Sequence, residues 1–203
     1  MGSEMCIRDR LWTLSSEVVE HNDSAYSNET LEPHTDGSYS HDGPGMQFFL
    51  CDERTGRGGE SVLVDGFAAA TMLRESDPDS FQILTEVSVP AHYIEDGVHL
   101  VASRPTIRLD DEGNILQVTF NNYDRSPFLL EEPKMTQWYR AYSALHTLLI
   151  DESSWWKWRL EPGQALIFDN WRCLHGRMGY TGKRVFHGGY LNHEDLESKL
   201  RLM

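Results

Sequence analysis

One stretch of the sequence, Leu31-Glu32-Pro33-His34-Thr35-Asp36-Gly37-Ser38-Tyr39, places an imidazole and a carboxylate two residues apart. In an extended segment, residues i and i+2 point to the same face, so His34 and Asp36 would present a nitrogen donor and an oxygen donor together. Two histidines and one carboxylate, with open positions opposite them, suit non-haem Fe(II) and its oxygen chemistry. This stretch therefore predicts a metal site, and it requires one further histidine elsewhere in the chain.

A bare His-x-Asp motif is weak evidence by itself, because a chain with nine histidines and this many aspartates contains about 0.7 occurrences by chance. A second occurrence, His193-Glu194-Asp195, directly follows Asn192. An asparagine followed by acids is typical of a helix N-terminus, so this second motif predicts a helix start. His34 and Asp36 instead precede a predicted strand, where a metal site at a loop edge is expected.

A candidate third ligand, His175, ends a strand-like run and is followed by Gly176, which would leave space beside the imidazole. Nine residues further on, Arg184 begins the next predicted strand. An arginine pairs bidentately with a carboxylate and stays charged when buried. A dicarboxylic keto acid could thus chelate the metal at one end and meet Arg184 at the other. Taken singly, His175 also fits a core histidine, and Arg184 fits a surface charge.

Composition limits the class of protein. The 203 residues suffice for one domain with a sizeable core. A net charge of −14 argues against nucleic acid and against an anionic membrane surface as partners. No run of about 18 apolar residues is present, so no membrane span is predicted. Cys6, Cys51 and Cys173 give neither a disulfide framework nor a zinc pattern, which predicts reduced thiols and an intracellular location.

Short strands separated by turns dominate the predicted secondary structure. Strands are predicted over residues 46–51, 60–65, 98–109, 114–122, 164–169 and 184–191, and helices over 67–74, 78–87, 132–150 and from about Asn192. The first two strands are expected to pair in antiparallel fashion across their glycine-containing connection. The helix at 132–150 repeats apolar residues at three- and four-residue steps, which predicts core packing by Met135, Trp138, Tyr139, Tyr142, Leu145, Leu148 and Leu149. The expected fold class is mainly β with flanking helices (α+β), with a jelly-roll core.

Several longer motifs now carry a family resemblance. They are Leu31 to Tyr39, Gly58-Gly59-Glu60-Ser61, Val64-Asp65-Gly66-Phe67, Asn121-Asn122-Tyr123-Asp124-Arg125 and Phe168 to Arg177. Together, from about Leu11 to the C-terminus, they resemble the 2-oxoglutarate-dependent dioxygenases of carnitine biosynthesis. That group comprises trimethyllysine dioxygenase and gamma-butyrobetaine hydroxylase, within the wider taurine-dioxygenase-like family. The resemblance implies a double-stranded β-helix, which is a jelly roll, and a non-haem iron enzyme.

The resemblance also implies roles for individual residues. His34, Asp36 and His175 would hold Fe(II). Arg184 would pair with the cosubstrate 2-oxoglutarate, with Ser61 nearby, and ascorbate would act as reductant. The expected reaction consumes O2, hydroxylates C3 of trimethyllysine and forms succinate and CO2.

The choice of substrate rests on further residues. Both candidate substrates carry a trimethylammonium group, which aromatic faces bind through cation–π attraction. Trp12, Tyr26 and Tyr190 match the aromatic cage positions of the family. Asp23 would pair with the α-ammonium that only trimethyllysine carries, although an ordinary turn aspartate also explains it, and Asn122 would contact the substrate carboxylate. These positions favour trimethyllysine, with gamma-butyrobetaine as the alternative.

The resemblance sets expectations for the whole chain as well. Residues 1–10 are expected to be a non-native leader, and residues 11–203 a dioxygenase catalytic domain whose jelly roll lacks its N-terminal part. Because strands and substrate contacts could be missing, an inactive fragment or a non-catalytic jelly-roll binding module stays open. A cytoplasmic location, or a mitochondrial one in a eukaryote, fits the resemblance, and a homodimer is compatible with it.

Overall fold

Strands make up most of the elements in the computed structural model, which describes residues 11–15, 27–95 and 97–203. Asp23 and Tyr26 lie outside the described residues, as do residues 1–10, for which a leader was only an expectation. The strands are β1 (Leu11–Ser15), β2 (Leu31–His34), β3 (Pro44–Arg54), β4 (Ser61–Asp65), β5 (Ser88–Glu95), β6 (Val98–Pro105), β7 (Ile107–Leu109), β8 (Ile115–Val118), β9 (Trp156–Trp158), β10 (Ala165–Asp169), β11 (Cys173–Arg177) and β12 (Arg184–Asn192). The helices are α1 (Gly66–Ser76), α2 (Pro78–Glu86), α3 (Lys134–Leu149) and α4 (His193–Arg201), with a single 3₁₀ turn at Glu152–Ser154.

Eight of the strands form two four-stranded sheets. One sheet has the order β1-β12-β3-β10 and the other the order β2-β11-β4-β9, and every pairing within them is antiparallel. Ring contacts join the two sheets, because the imidazole of His175 on β11 lies 5.6 Å from the Phe49 ring on β3 and 5.2 Å from the Phe168 ring on β10. Two facing sheets of four strands are the arrangement of a jelly roll, so the predicted fold class is confirmed.

The predicted pairing of the first two long strands was wrong. β3 pairs with β12 and β10, whereas β4 pairs with β11 and β9 in the other sheet. The connection at residues 55–60 is long enough to cross between sheets that stack about 10 Å apart, so the two strands need not form a hairpin. Gly58 and Gly59 allow this crossing because both have positive φ angles, 76° and 71°.

A strand that the sequence did not predict lies at Ser88–Glu95. This β5 forms a hairpin with β6, in register from Ser88 opposite Pro105 to Glu95 opposite Val98. Pro90 argues against a central strand, but the two-stranded sheet has only edges, where a proline is tolerated. The carbonyl of Pro90 still accepts a hydrogen bond from the backbone amide of Ser126 at 2.9 Å.

The main hydrophobic core lies between the helices and one face of the β2-β11-β4-β9 sheet. Trp138, Leu145 and Leu149 on α3 are fully buried there, as the helical periodicity predicts, whereas Tyr139 is half exposed. Val62 and Val64 on β4 and Leu174 on β11 complete this core from the sheet side. Because side chains alternate along a strand, the neighbours of these residues face the opposite sheet.

Helix caps fix where the helices start. The Asp65 carboxylate accepts hydrogen bonds from the backbone amides of Phe67 and Ala68, and Asp77 caps α2 in the same way through Ser80. Helix α4 begins at His193, as the second His-x-Asp motif predicts. The His193 imidazole stacks on the Trp171 ring, with centroids 4.0 Å apart. Within the described part of the chain, no helix combines the length and apolar content that crossing a bilayer requires.

We expect Leu145→Ala to lower the free energy of unfolding by about 2–5 kcal/mol, because it opens a cavity in the main core. Leu129→Ala is the matched control, since Leu129 is 94% exposed and Leu145 is 0% exposed. Urea unfolding of both variants measures the difference. An equal loss of stability in the two variants would contradict the placement of α3 in the core.

Candidate metal centre

The three predicted metal ligands meet between the two sheets. His34 is the last residue of β2 and lies directly opposite His175 of the neighbouring strand β11, with imidazole centroids 4.4 Å apart. Asp36 follows two residues after His34, with its Oδ1 3.4 Å from His34 Nε2 and its Oδ2 3.8 Å from His175 Nε2. One donor atom from each residue lies within 4.8 Å of the others. The geometry therefore brings together the ligand set that the sequence predicts.

The close approach of the two strands depends on Gly176, which occupies a buried position in β11. A Cβ atom at Gly176 would lie 2.6 Å from the backbone oxygen of Leu31 and 3.1 Å from the nitrogen of Pro33. Only a glycine lets β2 lie this close to β11. The sequence suggested that Gly176 leaves space for the imidazole, but the space is filled by the backbone of β2.

The donor set fits a divalent metal ion. Metal–nitrogen and metal–oxygen bonds of about 2.1 Å place neighbouring ligand atoms about 3 Å apart, close to the distances found here. The Nδ1–H of His34 donates to the Glu32 carbonyl at 2.8 Å, which directs Nε2 toward the Asp36 side of the cluster. Burial lowers the pKa of His34, but the Asp36 carboxylate outweighs it and raises that pKa, so a metal would displace a proton from Nε2. Burial lowers the pKa of His175 to about 4, so its imidazole is neutral, as a metal ligand must be.

The Asp36 carboxylate is held through one of its two oxygens. Gln47 Nε2 and the Tyr190 hydroxyl each donate to Oδ2 at 2.8 Å, while Oδ1 is the oxygen nearer His34. Burial alone would raise the pKa of Asp36, but the nearby His175 and His34 outweigh it and hold that pKa well below its usual range. Asp36 therefore stays ionised, with Oδ1 available to a metal.

The backbone of the metal loop is clamped by Asn170, which is 2% exposed. Its Oδ1 accepts from the Asp36 amide at 3.0 Å, and its Nδ2 donates to the carbonyls of Asp36 at 3.1 Å and Pro44 at 3.0 Å. One amide side chain thus satisfies both the backbone N–H and the backbone C=O of Asp36. Gln47 and Asn170 were not predicted as site residues, although Gln47 is a single amide between apolar strand residues and Asn170 lies within the motif from Phe168 to Arg177.

The Asn121–Arg125 motif holds the loop from the other side. Asn121 Nδ2 donates to the Thr35 carbonyl at 3.2 Å and to the Asp124 carboxylate at 2.8 Å. The Thr35 amide donates to the Phe120 carbonyl at 2.9 Å. Asn122, the predicted contact to substrate carboxylate, lies exposed in the adjoining turn, so that role stays a prediction.

A buried cationic group lies on the inner face of the other sheet. Arg184 begins β12 as predicted, is 7% exposed and places its guanidinium 3.6 Å above the Phe186 ring. Burial, followed by the charge of Arg177, lowers the pKa of Arg184 to about 9. Ser61, also buried, lies opposite Arg177 in the β4–β11 pairing. A carboxylate bound here would offset the cost of burying these charges.

Two of the predicted cage aromatics lie side by side. Trp12 on β1 is opposite Gly188 on β12, and its ring atoms lie 2.0–2.4 Å from where a Cβ of Gly188 would be. The Trp12 ring also contacts Phe49 at 5.3 Å and Tyr190 at 5.8 Å between centroids. Because the Tyr190 hydroxyl reaches Asp36, this aromatic surface adjoins the metal ligands.

We expect Asn170→Ala to weaken binding of Co(II), used as a spectroscopic probe for Fe(II), by about 10- to 100-fold, because the ligand backbone loses its support. The same change should lower the free energy of unfolding by about 1–3 kcal/mol, since buried polar groups of Asp36 lose their partner. Absorption titrations and urea unfolding measure these effects. Asn114→Ala, in an exposed turn, is the control. Unchanged Co(II) affinity in Asn170→Ala would contradict the proposed clamp.

The sequence is similar to those of several known proteins. The chain is 40% identical over 199 residues to trimethyllysine dioxygenase of Meyerozyma guilliermondii, covering 95% of this chain and 49% of that protein. It is 34% identical over 206 residues to the mitochondrial trimethyllysine dioxygenase of Homo sapiens, covering 97% and 48%. It is 31% identical over 195 residues to the human gamma-butyrobetaine dioxygenase, covering 91% and 50%. The chain thus spans about half the length of the curated relatives it matches.

Solved structures share the fold at low sequence identity. A taurine dioxygenase from Burkholderia xenovorans superposes with a TM-score of 0.65 and 15% identity, covering 90% of this chain and 61% of that one. PvcB, described as an Fe, alpha-ketoglutarate dependent oxygenase from an isonitrile synthetic pathway, gives a TM-score of 0.60 and 19% identity, covering 91% and 64%. The family described as taurine catabolism dioxygenase TauD, TfdA matches residues 3–190. Because that match covers most of the sequence, the chain belongs to the TauD, TfdA dioxygenase family.

Proposed function

We propose that this chain is an Fe(II)- and 2-oxoglutarate-dependent dioxygenase that hydroxylates trimethyllysine at C3. The observation that carries the proposal is the cluster of His34, Asp36 and His175, whose donor atoms lie within 4.8 Å of one another between the sheets. The curated relatives named trimethyllysine dioxygenase, including those from Meyerozyma guilliermondii and Gallus gallus, support the choice of substrate.

Different residues of the site would bind the metal and the cosubstrate. His34, Asp36 and His175 would hold Fe(II), and Gln47 and Tyr190 keep the Asp36 carboxylate in place. Arg184 would pair with the far carboxylate of 2-oxoglutarate, because a buried guanidinium favours an anionic partner. The Ser61 hydroxyl would lie close to the same carboxylate. Bound there, Fe(II) with 2-oxoglutarate and O2 supplies the oxidative chemistry that inserts a hydroxyl group and yields succinate and CO2.

The substrate would lie against the aromatic surface beside the metal ligands. Trp12 and Tyr190 offer ring faces to a trimethylammonium group, and Tyr26 would complete the cage. Asp23 would neutralise the α-ammonium of trimethyllysine, and Asn122 would contact its carboxylate. Holding the quaternary nitrogen at one end and the amino acid group at the other fixes which carbon faces the metal.

A second candidate is hydroxylation of gamma-butyrobetaine, favoured by the 31% identity to the human gamma-butyrobetaine dioxygenase. This substrate has the quaternary nitrogen and the carboxylate but lacks the α-ammonium. An inactive or purely binding role is the alternative of another class.

We further propose ascorbate as reductant and an intracellular location, and the chicken and human relatives are described as mitochondrial. A homodimer stays a prediction.

The proposal is tested by succinate release from the 203-residue chain supplied with Fe(II), 2-oxoglutarate and ascorbate. Trimethyllysine and gamma-butyrobetaine are added in parallel. We expect trimethyllysine to stimulate release and Asp36→Ala to abolish it, because the metal loses one of three ligands. Asp195→Ala, which alters the exposed His-x-Asp motif of α4, is the matched control and should retain activity.

Stimulation by gamma-butyrobetaine alone would replace the first candidate with the second. Turnover that survives in Asp36→Ala would contradict the ligand assignment. A chain that binds metal and 2-oxoglutarate without releasing succinate would favour a binding role for these 203 residues.

A separate prediction concerns Asp23. If its carboxylate pairs with a desolvated α-ammonium, Asp23→Asn should weaken trimethyllysine binding by about 2–5 kcal/mol, the range for truncating one partner of a buried charge pair. Binding of gamma-butyrobetaine, which has no such ammonium, should change much less. Calorimetric titration of both substrates measures the two effects, and equal losses would refute the role of Asp23 in selecting the substrate.

A further inference from the structure

A cavity that none of the candidate metal ligands lines lies beside the turn that follows Asp36. Its volume is about 540 Å³, within the range of small-molecule sites. It is formed by the end of β6, by β7 and by the turn at residues 37–43, together with the C-terminal end of α2. The main lining residues are His41, Ser103, Arg104, Pro105, Arg108 and Leu109.

Two arginines of this cavity direct their hydrogen bonds to neutral groups. The Arg104 guanidinium donates to the Ser40 carbonyl, and Arg108 Nη1 donates to Gln117 Oε1 at 2.8 Å. Among residues 11–15, 27–95 and 97–203, no carboxylate forms an ion pair with either guanidinium. Since each guanidinium has five N–H donors, several stay available to a ligand.

The charge of the cavity contrasts with that of the chain. The protein carries 32 acidic against 18 basic residues, yet no acid lines this cavity. Burial lowers the pKa of Arg104, the charge of Arg108 lowers it further, and Asp42 acts in the opposite direction. Two like charges share one partly buried space, so an anion placed between them would relieve their repulsion.

We propose that this cavity binds the phosphate group of a small phosphomonoester. Arg104 comes from β6, Arg108 from β7 and His41 from the turn, so donors surround the space from separate elements. A tetrahedral phosphate accepts hydrogen bonds in several directions, whereas one arginine fork already satisfies a planar carboxylate. The apolar side chains of Pro105 and Leu109 line the same cavity and offer a surface to the organic part of the ligand.

Isothermal titration calorimetry of the 203-residue chain with inorganic phosphate and with adenosine 5′-monophosphate, at constant ionic strength, tests the proposal. We expect saturable binding that Arg108→Gln weakens about 10-fold or more, because a charged donor to the anion is lost. Arg108→Lys should restore part of the affinity. Urea unfolding checks that each variant is folded.

Two arginine controls separate this cavity from other cationic groups. Arg140→Gln removes a side chain that is 80% exposed on α3 and should bind phosphate as the unaltered chain does. Arg184→Gln removes the buried cation of β12, which could itself attract an anion, and so distinguishes binding there from binding at this cavity. Tighter binding of adenosine monophosphate than of phosphate supports a phosphomonoester, and equal binding supports free phosphate at the same cavity. Absence of saturable binding, or a loss in Arg184→Gln with none in Arg108→Gln, would overturn the proposal.

Discussion

The antiparallel pairing of β2 with β11 is the contact on which the candidate site depends. It sets His34 directly opposite His175, so the distance between these two candidate ligands is fixed by a strand register rather than by a flexible loop. The register in turn depends on Gly176, because any side chain there would meet the backbone of β2. A site built on paired strands is held more rigidly than one built on loops alone. Asp36, the ligand outside the strands, is correspondingly the one that Asn170 clamps.

Burial of charge is the second constraint on this part of the molecule. The guanidinium of Arg184 is buried and the ionised carboxylate of Asp36 is partly buried, which costs free energy unless each charge is compensated. For Asp36 the compensation comes from Gln47, Tyr190 and two imidazoles. Arg184 lies against the Phe186 ring, and burial together with the nearby charge of Arg177 lowers its pKa, so a bound anion would stabilise its charge. A ligand with a metal-chelating end and a carboxylate end would match the donor cluster of His34, Asp36 and His175 together with the cation of Arg184.

Patterns that depend on neighbours in sequence predicted much of this structure. The apolar repeat of α3 and the strand that begins at Arg184 follow from local periodicity, and the clustering of His34, Asp36 and His175 follows from motifs with known chemistry. Sheet partners could not be predicted in the same way, since β3 and β4 are close in sequence but lie in different sheets. The roles of Gln47 and Asn170 were missed for the same reason, because each acts on Asp36 across a fold contact that no local pattern records.

Consecutive side chains of strand β11 point to opposite faces of its sheet. Leu174 packs into the helical core, and the next side chain, His175, belongs to the candidate metal ligands, so one short strand contributes to both the core and the candidate site. A ligand that binds only the native state raises apparent stability by about 2.7 kcal/mol when its free concentration is 100 times its dissociation constant. Iron bound between these strands would act in this way. The persistence of the folded chain in a cell would then follow the supply of iron, and scarcity of the metal would shorten the lifetime of the protein itself.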